Sequence, residues 1–176
     1  MFRAYLECKV QTELYDYWRS KFENGKPPQR KHVKPEEIVP LLPHVGLINV
    51  DGANKFSYRL IGTAMVTLFG RDFTGLDVAT SKSGAYGRFL LDLYAEVVSF
   101  KNPIYSRSKF LYAGKKGLTT RRLLLPLFDD CQRVNMLLFS TIPDYEHYED
   151  VRDLKIIDDS IGFKELFKVE DVKELA

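Results

Sequence analysis

The spacing of hydrophobic and polar positions changes several times along the chain, and each change predicts an element. Two strand-like runs, "HVGLINVD" at 44–51 and "KFSYRLIG" at 55–62, flank "GAN", and Asp51-Gly52 is expected to supply the positive φ of a hairpin turn. In the second run Phe56, Tyr58 and Leu60 alternate with Ser57 and Arg59, the period of a strand with two unlike faces. After Gly62-Thr63 the apolar residues move to Met65, Val66, Leu68 and Phe69, a helical spacing, and Gly70 and Gly75 interrupt it almost at once. A longer helix is predicted within "SGAYGRFLLDLYAEVVSF", where Tyr86, Phe89, Leu90, Leu93 and Val97 recur every three or four residues before Pro103.

Three more strands follow: "PIYSRSKFLYA", "TTRRLLLPLFDD" after a Gly-Lys-Lys-Gly tip at 114–117, and "VNMLLFSTIPDY" after "DDCQR". Several are apolar on both alternations, as in the consecutive Leu123, Leu124 and Leu125 or Met136 to Phe139, so the sheet needs a cover on each face. The helical insertion supplies one cover. The other is expected from the N-terminal helix in "TELYDYWRSKFENGK", whose Leu14, Tyr17, Trp18 and Phe22 share a face, or from a second subunit. Thr12 or Gln11 is the predicted cap of that helix and Gly25 its stop, with a short helical turn, opened by Pro35 and closed before Pro43, in "KPEEIVPLLPHV".

Composition adds bounds. With 45% hydrophobic and 13% aromatic residues, a chain of 176 residues can bury a sizeable core, so one domain with an appendage is expected. A net charge of +2 does not point to nucleic acid or an anionic membrane. The charge is uneven: 101–133 carries eight Lys/Arg against two acids, and 146–176 carries ten acids against five bases. Cys8 and Cys131 lack any zinc or disulfide pattern, and no run is apolar enough for a signal peptide or a membrane span, so a cytoplasmic protein is expected.

The stretches "LYDYW" at 14–18, "LLPHVGLINVD" at 41–51, "YRLIGT" at 58–63 and "FGRDFTGLD" at 69–77 resemble the stand-alone bacterial PAS-domain family built around an N-terminal "YW" helix. The resemblance covers roughly residues 11 to 145; "PQRKHVKPEE" is more basic than that pattern, and nothing after 146 matches it. It implies an α+β fold, with a five-stranded antiparallel sheet in spatial order 2-1-5-4-3. Helices would cover one face of it and the N-terminal helix lie on or near the other. Residues 1–43 would be helix and linker and 44–145 the PAS core; apart from the resemblance, Ile161, Phe163, Leu166, Phe167 and Val169 among charges lead us to expect 146–176 to be a charged extension docked as a helix on its own domain or a sister subunit. The short helical pieces would roof a small cavity above the sheet.

Met65, Phe69, Phe73, Phe89, Leu90, Leu93, Phe110, Leu124, Leu138 and Ser140 are the candidates to line that cavity, or to fill it with their own side chains. The expected function is a non-catalytic sensory or signal-transduction module that binds a small ligand, a signalling protein partner, or both. A homodimer through Leu14, Tyr17, Trp18 and Phe22 is expected with it. The alternatives are a ligand-free adaptor and, further off, a small-molecule enzyme or a nucleic-acid-binding protein. No catalytic or metal-binding set is visible: GxSxG, P-loop, GxGxxG and HExxH patterns are all missing. The cofactor is left open. His32, His44 and His147 lie outside the long helix, which argues against His-ligated haem, and neither cysteine suits covalent flavin photochemistry. Arg107, Lys109, Lys115, Lys116, Arg121 and Arg122 form a basic hairpin, read as protection of an edge strand rather than as a nucleic-acid surface.

Overall fold

The computed structural model describes residues 2–52, 55–81, 84–112, 115–143 and 161–168. Strands β1 (Gly46–Asp51) and β2 (Lys55–Ile61) precede three helices, α2 (Thr63–Phe69), α3 (Val78–Ser81) and α4 (Gly84–Phe100). Then come β3 (Ile104–Tyr112), β4 (Lys115–Phe128), β5 (Val134–Pro143) and β6 (Ile161–Lys168); helix α1 (Lys9–Ser20) and a series of 3₁₀ turns lead the chain in. All neighbouring strands are antiparallel and the sheet runs β2-β1-β5-β4-β3-β6. The expected order 2-1-5-4-3 is therefore present, with one strand added. Ile161–Lys168, expected to be helical, is that strand, and it pairs along β3 from Ile104↔Lys168 to Phe110↔Ile161.

The double apolarity of the strands is satisfied by two cores. Ile104, Leu124, Leu137 and Phe139 face α2, α3 and α4. Their chain neighbours Tyr105, Leu123, Leu125 and Leu138 face α1 and the 3₁₀ segment. Leu14 and Trp18 are buried in this second core, at 0% and 1% exposure, so half of the stripe expected to form a dimer contact is spent within the chain itself. Tyr17 is tied down too, its hydroxyl accepting the Lys34 N–H at 2.8 Å. Trp18 has a further task. Strand β3 begins opposite Leu124, leaving Pro126 beyond its end, and the indole N–H of Trp18 donates to the Pro126 carbonyl at 2.9 Å. The linker extends the pattern, with Phe128 N–H donating to the Pro28 carbonyl at 2.9 Å.

Several boundaries differ from expectation. Helix α1 begins at Lys9 with Cys8 as its N-cap, three or four residues before the predicted caps, which makes Gln11 a buried helical residue. It ends at Ser20, well before Gly25, and the 3₁₀ turn at Val39–His44 runs through Pro43. Gly52 lacks the positive φ predicted for it.

Candidate functional site: the chamber between the sheet and its helical roof

Gly62 shows why the chain must break where β2 meets α2. A Cβ there would sit 2.5 Å from the Leu42 carbonyl oxygen and closer still to that of Pro43, so only glycine lets the strand end press against the 3₁₀ turn. Gly70 closes α2 in the left-handed region at φ 73°, and Gly75, at φ 83°, turns the chain back. The returning segment bonds to β2 through Tyr58 N–H to Leu76 O at 2.9 Å and Gly75 N–H to Tyr58 O at 2.7 Å. Interrupted helix and strand are thus stitched into one wall.

That wall and α4 bring together most of the expected set. Met65, Phe73, Phe89, Leu90, Leu93 and Leu124 are buried in one cluster, and Phe69 packs against it. Aromatic rings link its parts: Tyr58 lies 5.9 Å from Phe73 and 6.2 Å from Phe139, Phe69 lies 6.0 Å from Phe73, and Phe56 meets Tyr94 at 5.5 Å. Two candidates do not join it. Leu138 belongs to the core under α1, and Ser140, two residues on, shares its alternation. The correction follows from the strand period: Leu137 and Phe139 take the chamber side, so Leu138 and Ser140 cannot. The side chain of Phe110 lies outside the described residues.

The chamber floor also holds a residue that was assigned to the outer hairpin. Arg122 is 2% exposed and follows the alternation of Leu124 into the chamber, with its Cζ 5.6 Å from the centre of the Phe89 ring. Arg121 and Arg107 take the other face, where the Glu7 carboxylate meets them at 3.0 and 3.2 Å. They oppose each other directly across β3 and β4, an arrangement of like charges that Glu7 offsets. A signal for this was present in the sequence. Adjacent residues of a strand point oppositely, so one of Arg121 and Arg122 had to face inward.

The α1 face carries polar attachments of its own. Buried Gln11 donates through Nε2 to the carbonyls of Arg121 and Ser140, at 3.1 and 3.3 Å. Burial, reinforced by the charge of Glu7, pushes the Tyr105 phenol up to about 12. At the helix margins Arg3 hydrogen-bonds Asp16 at 2.7 Å and lowers that carboxyl, as Lys21 lowers Glu37. His32 is a turn residue, its Nδ1 accepting the Gln29 N–H, and Cys131 lies exposed in the β4–β5 turn. Among the described residues no group of His, Cys, Asp and Glu is arranged for a metal, and no helix is long and apolar enough to cross a membrane.

A family model described as "PAS domain" matches residues 7–139. The chain belongs to the PAS domain family. The match takes in α1 and most of the sheet, so the N-terminal helix is part of the PAS pattern here. Among solved structures, an RNA-binding light-oxygen-voltage receptor is similar at 11% identity and a TM-score of 0.44, over 68% of this chain and 36% of that one. No curated protein matches the chain.

Proposed function

We propose that this PAS domain is a non-catalytic sensory module in which a small molecule in the chamber alters how α1 is held, and that a signalling protein partner reads α1. One observation carries the reading. Gln11 of α1 grips the carbonyls of Arg121 and Ser140, and the next residues along those strands, Arg122 and Thr141, lie on the chamber face. A shift of the floor by a fraction of an ångström would stretch two hydrogen bonds on the opposite side. A ligand acts through this link only if it binds two settings of α1 unequally.

Native mass spectrometry of the full chain, followed by hydrogen exchange over residues 9–20, tests the idea. A non-covalent adduct whose removal changes exchange in α1 is the expected result. An adduct that leaves α1 unchanged would refute the coupling. Absence of any adduct in protein purified from cells would favour the ligand-free adaptor, to which the ring contacts inside the chamber lend support.

A further inference from the structure

One end of the chamber core reaches solvent. Val134 belongs to that core, and Val50 and Val98 pack against it. These valines line a groove of about 400 Å³ between the C-terminal end of α4 and the turns that follow β1 and β4. Asp51, Lys101, Asp129, Arg133 and Asn135 line it as well. Two of these charges satisfy each other: the Arg133 guanidinium meets Asp129 at 2.9 Å, and the same carboxylate accepts the backbone N–H groups of Cys131 and Arg133, each at 2.9 Å. Two others do not. Lys101, in the left-handed region at φ 56°, gives one ammonium hydrogen to the carbonyl of Gln132, itself at φ 58°, over 3.2 Å, which leaves two donors on an anchored cation. The Asp51 carboxylate has no hydrogen-bond or ion-pair partner among the described residues, although Lys55 stands opposite it on β2.

We propose that this groove binds a free α-amino acid with an aliphatic side chain: its carboxylate on Lys101, its ammonium on Asp51 and its side chain on the three valines. The inference rests on the sensing role of the chamber and names the class of molecule sensed at its end. A simple carboxylic acid would answer Lys101 but bring a second negative charge to Asp51, and a simple amine would do the reverse. An uncharged apolar molecule would displace water from both charged groups without replacing its hydrogen bonds. Asn135 adds a neutral donor and acceptor at the same place. It is the residue left over where β5 shifts register between Val134↔Phe128 and Met136↔Leu127. The lining therefore matches a molecule with both charges and an apolar body.

Calorimetric titration of the full chain tests this assignment with three probes: L-leucine, 4-methylpentanoate, which lacks its ammonium, and 3-methylbutylamine, which lacks its carboxylate. Leucine is expected to bind at least about tenfold tighter than either relative. Asp51→Asn should abolish its advantage over the acid, and Lys101→Gln its advantage over the amine. Asp130→Asn, at an exposed acid of the same turn outside the groove lining, should change neither. Equal binding of the three probes, or equal effects of Asp51→Asn and Asp130→Asn, overturns the amino-acid site. Glycine binding as tightly as leucine overturns the role of the valines. Hydrogen exchange over residues 9–20, with and without leucine, keeps the two readings apart. Leucine that binds without changing α1 leaves the site standing and refutes the coupling. No leucine binding, with a different molecule bound to protein from cells and altering α1, overturns the site and leaves sensing in place.

Discussion

The two faces of the sheet are covered in physically different ways. On one, α1 is a single helix fixed by directional bonds: Trp18 to Pro126, Gln11 to two strand carbonyls, Glu7 to two arginines. On the other, two short helices, α2 and α3, and the longer α4 meet the floor mainly through side-chain packing and ring contacts. Hydrogen bonds specify one geometry and are lost within an ångström of displacement, whereas packing without direction tolerates rearrangement at similar cost. The α1 face is therefore held by bond direction and the roof face by close packing.

The comparison breaks most readily at Trp18. Trp18→Ala should cost about 3–5 kcal/mol in urea unfolding, by removing both the ring and the donor to Pro126. Trp18→Phe keeps most of the volume and should cost about 1–3 kcal/mol by leaving that buried carbonyl unpaired. Equal losses from the two variants would show that the hydrogen bond contributes nothing.

At the roof, Gly62 and Gly70 separate crowding from backbone strain. Gly62→Ala collides with fixed backbone and should destabilise by about 2–3 kcal/mol. Gly70→Ala meets no atom within 4 Å and should lose only about 1 kcal/mol, the cost of a left-handed alanine. A reversed ranking in thermal unfolding would contradict the wall described between α2 and the 3₁₀ turn.

Two pH effects are smaller. The Tyr105 phenol is raised in the folded chain, so the stability linked to its protonated form is complete below about pH 10 and lost as pH rises through about 12. Comparing alkaline absorbance titrations of the wild type and Tyr105→Phe should reveal that late ionisation. Asp16 and Glu37 have lowered folded values, so their contribution is present above the ordinary carboxylate range and lost as pH falls through it. Protection of α1 against hydrogen exchange, relative to the intrinsic rate at each pH, should therefore fall on acidification before that of α4 does.

Much of this arrangement was legible in the sequence. Alternation in β2, the three-to-four spacing in α4 and the runs of leucine in β4 and β5 announced a sheet with two covers, and the aromatic stripe of α1 supplied the second. The inward alternation was not legible, because both sides of β5 are apolar and period two does not distinguish them; Leu138 and Ser140 were misplaced for that reason. Arg122 was hidden by its neighbours, since a basic cluster reads as surface until each residue is given a side. In the C-terminal segment Ile161, Phe163 and Phe167 fit an alternating pattern, but Leu166 beside Phe167 also suits a helix, and only the pairing with β3 decides between them.

The sixth strand has a consequence for self-association. Unpaired backbone at a sheet margin is where chains zip into fibres or swapped assemblies. Here β6 occupies the outer side of β3, and the returning segment at 75–77 bonds along the outer side of β2. Another copy could join the sheet along β2 only by first peeling away that returning segment, while at the opposite end the margin passes from β3 to β6.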